Sequence, residues 1–272
     1  MSRIGAKFEQ LNRSGRKGFI PFITAGDPDL DTTGRLVLTL ADLGADVIEL
    51  GVPFSDPMAD GPTIQASSMR ALANGTNLNN ILAMVAGLRS ETEVPIVLFS
   101  YLNPLYRYGL DRLADDAAAA GVDGFLVTDA IDEDAKSISE VLRPAGMDLI
   151  SLVAPTTSDR RLASIAAGAS GFIYAVSRTG VTGARQESSD AAETLVERIR
   201  QHSELPVAVG FGISTRKQVE EVWSYADAAV VGSAIVKVIE ESDGPSDAVE
   251  RMRDFVRSIV PRICKRTVGN LE

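Results

Sequence analysis

The sequence alternates between eight short apolar runs and longer stretches with helical periodicity. Continuous apolar runs of this kind are typical of parallel strands that are buried on both faces. The predicted strands are Gly18–Thr24, Asp46–Gly51, Pro95–Tyr101, Gly124–Thr128, Asp148–Val153, Gly171–Val176, Pro206–Gly210 and Ala228–Gly232. Because helices and strands alternate along the chain, we expect an α/β fold built on a parallel sheet.

The stretches between these runs have the spacing of amphipathic helices, and several begin at Asp or Thr, as helix N-termini prefer. The predicted helices are Thr32–Leu43, Asp111–Ala120, Glu133–Leu142, Asp159–Ala167, Asp190–Gln201 and Thr215–Ser224. Gly61–Arg89 is long enough for two helices with a break at Asn74–Asn77. An extra helix, Arg3–Arg13, precedes the first strand, and we expect it to cover the end of the sheet at which the strands begin, the bottom of the fold.

A weak internal repeat bears on how the strands are arranged. Every second strand follows a similar corner: Leu43–Asp46, Ala120–Asp123, Ala167–Ser170 and Ser224–Asp227. In the first three corners a glycine (Gly44, Gly121, Gly168) occupies the position where helices end in the left-handed conformation. A corner that recurs before every second one of eight parallel strands favours a single (βα)8 TIM barrel, residues 1–272. A helical segment, Ala234–Glu240, is expected after strand eight. An open doubly wound sheet is the alternative.

Composition excludes several classes of function. One cysteine, Cys264, excludes an internal disulfide, and one histidine, His202, excludes a histidine-cluster metal centre. A net charge of −10 argues against nucleic acid as the partner. No apolar stretch approaches the ~18 residues of a membrane span, and the first five residues have no signal-peptide core. We therefore expect a cytoplasmic protein that binds no metal.

Glycines lie at or after the ends of the sixth, seventh and eighth predicted strands, on the side of a barrel where active sites form. They are Gly183, Gly210, Gly212 and Gly232, and Ser233 then begins a short helix. Backbone N–H groups at glycines and at a helix N-terminus bind anions. The pattern predicts a phosphate site, although each glycine alone is also consistent with a tight turn.

Glu49 stands in a buried strand where an apolar side chain is expected. An unpaired carboxylate there is costly, so its pKa should rise toward neutrality, as a general acid/base requires. A structural ion pair with an arginine is the alternative. Asp60 follows the same strand and is consistent either with catalysis or with a helix cap.

Three aromatic residues, Phe22, Tyr101 and Tyr174, can line a site for a flat substrate or belong to the core. No lysine stands at the carboxyl end of a predicted strand, which disfavours Schiff-base chemistry. The residues therefore indicate acid–base chemistry by carboxyl groups on a small phosphorylated substrate, with no cofactor in this chain.

Four segments resemble the tryptophan synthase α chain family: Phe22–Pro28, Glu49–Gln65, Ser177–Gly183 and Gly210–Ser214. The resemblance implies retro-aldol cleavage of indole-3-glycerol phosphate to indole and glyceraldehyde 3-phosphate, a step of tryptophan biosynthesis. It implies that Glu49 is the acid/base and that Asp60 holds the indole N–H. It also implies that Phe22, Tyr101, Leu126, Tyr174 and Phe211 surround the substrate, that Thr182 orients the base, and that Gly183, Gly212, Gly232 and Ser233 bind phosphate.

The resemblance further implies a lid at Arg178–Ser189 and a β-chain partner that carries pyridoxal phosphate in an αββα complex. The segment Pro53–Asp60 would communicate with that partner. The chain departs from the family at Asp129–Asp132, where Asp-Ala-Ile-Asp replaces the usual Asp-Leu-Pro in the partner-contact region. A freestanding lyase and a non-catalytic, phospho-ligand-binding subunit are the alternatives; a related indole-glycerol-phosphate-forming synthase would need a strand-end lysine.

Overall fold

The strands form a closed barrel in a computed structural model that describes residues 2–176, 185–210 and 212–261, without the side chains of 185–189. Within these residues the eight strands are parallel and pair in sequence order, with the last beside the first. They are β1 (Gly18–Thr24), β2 (Ile48–Gly51), β3 (Ile96–Ser100), β4 (Gly124–Val127), β5 (Asp148–Val153), β6 (Ile173–Val176), β7 (Val207–Gly210) and β8 (Ala228–Val231). The predicted (βα)8 TIM barrel is confirmed, and the open-sheet alternative is wrong.

Helices surround the barrel and cover its outer face. They are α1 (Arg3–Arg13), α2 (Leu30–Asp42), α3 (Pro62–Ala73), α4 (Leu78–Leu88), α5 (Leu102–Tyr108), α6 (Leu110–Ala120), α7 (Glu133–Leu142), α8 (Asp159–Gly168), α9 (Arg185–Arg200), α10 (Arg216–Tyr225), α11 (Ser233–Glu240) and α12 (Pro245–Ile259). In the described part of the chain, no helix is both long enough and apolar enough to cross a membrane.

Two of these helices were not predicted. In α5, Pro104 is the third residue, so its missing N–H falls in the first turn, where helical N–H groups have no intrahelical partner. Helix α12 begins at Pro245 directly after Gly244, and it buries one face that includes Val249, Met252 and Val256. This face packs against α2 and α11 on the outside of the barrel.

The N-terminal helix closes the bottom of the barrel, as predicted. Ile4, Phe8 and Leu11 are buried from one face of α1. They belong to the same apolar cluster as inward-facing strand residues, and the ring centroids of Phe8 and Phe172 are 5.6 Å apart. The barrel therefore opens only at the carboxyl ends of its strands, within the described residues.

The repeated corners have a structural reason. In each, the side chain that leads into an even-numbered strand accepts a hydrogen bond from a backbone N–H at or next to the start of the preceding odd-numbered strand. The donor–acceptor pairs are Phe19–Asp46 at 3.0 Å, Ile96–Asp123 at 2.8 Å, Leu149–Ser170 at 3.0 Å and Val207–Asp227 at 3.0 Å. A short polar side chain at this position thus ties adjacent strands together.

The glycine prediction at these corners is correct in two cases and wrong in one. Gly44 and Gly121 have φ values of +87° and +83°, the left-handed conformation that ends a helix. Gly168 instead is the last residue of α8, and Gly171 takes a φ of +71°. The left-handed residue therefore comes three positions later than predicted, directly after Ser170.

Candidate active site

A cavity of about 260 Å³ lies at the carboxyl ends of the strands, where the barrel is open. It is lined by Phe22, Glu49, Asp60, Gly61, Pro62, Thr63, Ile64, Phe99, Tyr174, Gly212, Val230, Gly232 and Ser233. These residues come from β1, β2, β3, β6 and β8, from the loop after β7 and from the segments that begin α3 and α11. The cavity therefore joins the two predicted features, the carboxyl groups and the glycine-rich end.

Glu49 is fixed in the barrel wall by strand register. It pairs with Phe22 on β1 and with Val97 on β3, and only 1% of its surface is exposed. Its Oε1 atom has no hydrogen-bond partner, and no arginine among the described residues forms an ion pair with it. Burial disfavours the charged form and raises the pKa of Glu49 to about 8. At neutral pH this carboxyl group is therefore mainly protonated.

Asp60 also lines the cavity, from the segment before α3. The N-cap of that helix is Gly61, so Asp60 does not cap it. Burial raises the pKa of Asp60 to about 6, although a hydrogen bond from the Tyr101 side chain opposes the rise. The Tyr101 hydroxyl also accepts a hydrogen bond from the backbone N–H of Ala59 at 2.9 Å. Tyr101 therefore stands behind Asp60 and holds its segment, outside the cavity lining.

Aromatic rings form the wall around Glu49. The rings of Phe22 and Phe99 meet edge to face, with centroids 5.3 Å apart. Gly51 leaves room for Phe22, because a Cβ atom at Gly51 would lie 2.6 Å from that ring. Tyr174 is buried, and burial together with the nearby Glu49 raises the pKa of its hydroxyl far above the usual value. The wall thus offers flat apolar surfaces and one neutral hydroxyl.

A third group of lining residues has the features of an anion site. Gly232 is the N-cap of α11, and Ser233 is the first residue of this eight-residue helix. Gly212 faces the same space with a φ of +72°. Helix N-termini present free N–H groups and the positive end of the helix dipole, which stabilise a bound phosphate.

The structure brings seven of the sequence-predicted site residues to this cavity: Phe22, Glu49, Asp60, Tyr174, Gly212, Gly232 and Ser233. Leu126 does not line it, because its side chain is completely buried among the inward-facing residues of the barrel core. Thr182, Gly183 and Phe211 lie outside the described residues, and so do most of the predicted lid Arg178–Ser189 and Cys264.

Sequence reasoning missed several residues of the cavity wall. Phe99 and Val230 are inward-facing strand residues, and the alternation of side chains along β3 and β8 could have identified them. Thr63 and Ile64 come from the first turn of α3. Their place in the cavity depends on how that helix packs beside β1, for which the sequence has no local signal.

The fold and the site define a (βα)8-barrel enzyme that has a buried carboxyl group and a helix-start anion site at the open end. Residues 8–261 match the family model described as "Tryptophan synthase alpha chain". The chain is 52% identical to the tryptophan synthase α chain of Citrifermentans bemidjiense over 97% of this chain and 99% of the relative. This chain belongs to the tryptophan synthase α chain family.

Solved structures agree with this membership. The tryptophan synthase α subunit of Legionella pneumophila superposes with a TM-score of 0.84 at 36% identity, covering 94% of this chain and 99% of that one. A chain from the tryptophan synthase α2β2 complex of Pyrococcus furiosus superposes with a TM-score of 0.83 at 43% identity, covering 89% and 97%.

Proposed function

We propose that this chain is the lyase subunit of tryptophan synthase, which cleaves indole-3-glycerol phosphate to indole and glyceraldehyde 3-phosphate. Family membership supports the substrate, and the two carboxyl groups support the chemistry. The observation that carries the proposal is the burial of Glu49 without an ionic partner, since it leaves a protonated carboxyl group facing the cavity. The reaction needs a group of that kind.

In the proposed reaction the Glu49 carboxyl group donates its proton to C3 of the indole ring. Positive charge develops on the ring nitrogen, and the ionised Asp60 accepts a hydrogen bond from the ring N–H and stabilises that charge. The bond between C3 and the glycerol chain then breaks, and its electron pair restores the aromatic ring. The adjacent glycerol hydroxyl becomes an aldehyde and returns its proton to Glu49, so the acid is regenerated in each cycle.

The shape of the cavity is consistent with this substrate. The Phe22 and Phe99 rings and the Tyr174 side chain supply an apolar wall for the indole, beside Glu49. Gly212, Gly232 and Ser233 would bind the phosphate at the start of α11. Thr182, Gly183, Phe211 and the lid at Arg178–Ser189 remain predictions of the resemblance, as does the contribution of Leu126.

The test is direct. We expect the purified chain to release indole from indole-3-glycerol phosphate, and Glu49→Gln to lower kcat by at least about 100-fold, the usual size of a general acid/base contribution. Glutamine keeps the size of the side chain but has no proton to transfer. The variant should remain folded by circular dichroism and should still bind glycerol 3-phosphate. If it releases indole at the wild-type rate, the acid/base assignment is wrong.

We further propose a pyridoxal-phosphate-carrying β chain as the partner, in an αββα complex, and a cytoplasmic location. The complex from Pyrococcus furiosus supports the partner. Three large apolar side chains are exposed on the segments that follow β2, β3 and β4: Met58 at 94%, Tyr106 at 47% and Ile131 at 55%. Exposed apolar groups that lie near one another are typical of protein interfaces. If added β chain does not increase indole release, the chain is a freestanding lyase.

A further inference from the structure

Arg70, in the last turn of α3, joins three parts of the catalytic face. Its Nε and Nη2 atoms donate to Asp27 Oδ1 and Oδ2, each at 2.8 Å. Its Nη1 atom donates to Glu240 Oε1 at 2.7 Å. Asp27 follows β1, and Glu240 is the last residue of α11. One guanidinium group therefore connects the loop after β1, helix α3 and helix α11.

The two helices joined by Arg70 both contribute their first residues to the cavity lining. Helix α3 begins at Pro62, directly after Asp60 and Gly61. Helix α11 begins at Ser233, in the candidate phosphate site. Arg70 and Glu240 lie about two turns along their respective helices. Because a helix is stiff over two turns, fixing these positions also fixes the separation of the two helix starts.

The contact with Asp27 is well suited to hold a fixed geometry. Asp27 is only 4% exposed, so its carboxylate needs a charged partner. Arg70 meets both of its oxygens, and a paired contact of this kind fixes orientation as well as distance. A buried hydrogen bond between Thr24 and Ser67, with oxygens 2.7 Å apart, fastens α3 to the end of β1 one turn earlier.

We propose that Arg70 is a positioning residue that sets the distance between the Asp60 end and the phosphate end of the cavity. The proposal rests on the proposed function, in which one substrate spans both ends. Arg70 touches neither end, so it has no direct contribution to binding indole alone or phosphate alone. Its effect appears when one molecule must reach both ends, since a fixed separation then makes the second contact intramolecular.

Three ligands separate this effect from ordinary binding: indole, glycerol 3-phosphate, and an unreactive indole joined to phosphate by a three-carbon chain. Calorimetry gives the dissociation constant of each. Arg70→Lys keeps the charge but cannot meet both Asp27 oxygens. We expect this variant to bind the joined ligand about tenfold more weakly, because effective concentration is lost. It should bind each separate ligand less than about twofold more weakly. With substrate, KM should rise more than kcat falls.

Arg89→Lys is the matched control. Arg89 also binds a nearly buried carboxylate, that of Asp123 at 2.8 Å, but at the opposite end of the barrel. Arg89→Lys should lower the free energy of unfolding but leave the ratios between the three dissociation constants unchanged. If Arg70→Lys does not fold, Asp27→Asn combined with Arg70→Met removes both charges and tests the same link.

The outcomes are distinct. If the Arg70 variants bind the joined ligand as tightly as the wild type does, the positioning role is wrong. It is also wrong if they bind all three ligands more weakly by the same factor, because that result indicates a general loss of structure. Failure of the wild-type chain to bind indole or glycerol 3-phosphate at all would instead contradict the proposed function.

Discussion

The hydroxyl group of Tyr174 occupies the space that a side chain on Gly210 would need. A Cβ atom at Gly210 would lie 2.0 Å from this oxygen and 2.6 Å from the ring carbon that carries it. The two residues are on neighbouring strands, since Tyr174 pairs with Ala208 two positions before Gly210. Tyr174 can therefore lie against β7, at the wall of the cavity near Glu49, because residue 210 has no side chain.

Gly210→Ala should for this reason displace Tyr174 and disturb the wall beside Glu49. We expect kcat/KM for indole release to fall by at least about tenfold, the effect of a misplaced active-site group. The control is Gly87→Ala in α4, where nothing lies within 4 Å of the added carbon, and which should increase stability by about 0.5–1 kcal/mol. Wild-type activity in Gly210→Ala would show that the Tyr174 position does not matter.

The two carboxyl groups predict the pH dependence of the reaction. Asp60 must be ionised and has a pKa raised to about 6, whereas Glu49 must be protonated and has a pKa raised to about 8. A plot of kcat/KM against pH should therefore rise through about pH 6 and fall through about pH 8. Stopped assays of indole release from pH 5 to pH 9.5 measure the curve.

The variant Asp60→Asn separates the two limbs. Its activity should be low, and the rise near pH 6 should be lost, because asparagine does not ionise, while the fall near pH 8 remains. A variant profile that keeps the rise near pH 6 would assign that limb to another group. A wild-type profile that is flat from pH 6 to pH 9 would contradict the proposed protonation states.

Glu49 also predicts how stability changes with pH. Its folded pKa of about 8 exceeds the ordinary value of 4.5, so the folded state holds this proton more tightly. Its contribution is therefore complete below pH 4.5 and is lost as pH rises to 8, by about 1.4 kcal/mol per pH unit. Glu49→Gln lacks this loss. Relative to wild type, its free energy of unfolding should increase by roughly 4 kcal/mol between pH 5 and pH 9, as measured by urea denaturation.

The barrel could be predicted from the sequence because each strand carries its own apolar signal, and the strand positions differ from the prediction by two residues or fewer. Helices α5 and α12 escaped prediction for different reasons. Helix α5 has only seven residues and contains Pro104. Helix α12 comes after the helix that follows the last strand, α11, and the alternation of strands and helices in the barrel does not predict another helix there.

The site could be predicted in part, because charged or glycine residues at strand ends stand out locally. Glu49 is such a residue, since an acid in a buried strand conflicts with its surroundings. Leu126, by contrast, is one of several apolar strand residues, and only its depth in the barrel separates it from Phe99. The link from Arg70 to Asp27 spans 43 residues, and no pattern within either segment indicates it.

The corner residues predict a difference in stability at the closed end of the barrel. Asp123 accepts hydrogen bonds from Ile96 N, from Arg89 at 2.8 Å and from Arg3 at 3.0 Å. Asp123→Ala takes this carboxylate away from the largely buried Arg89, which keeps backbone carbonyl acceptors, and should cost about 3–5 kcal/mol of unfolding free energy. Ser170→Ala removes one neutral hydrogen bond and should cost about 1 kcal/mol. Both variants should keep the wild-type kcat at 20 °C, where enough folded protein remains; equal losses of stability would contradict this account.

Ile131 tests the proposed partner surface. It is 55% exposed and lies in the segment that follows β4. In Ile131→Asp, a complex with the β chain would bury an unpaired charge, so we expect affinity to fall by at least about tenfold. Indole release by the isolated chain should not change, because Ile131 is outside the cavity. The matched variant Met69→Asp replaces an equally exposed residue, at 56%, on helix α3. In a titration with β chain, Met69→Asp should bind with an affinity close to that of the wild type. If both substitutions weaken this affinity equally, the partner does not bind specifically at the segment after β4.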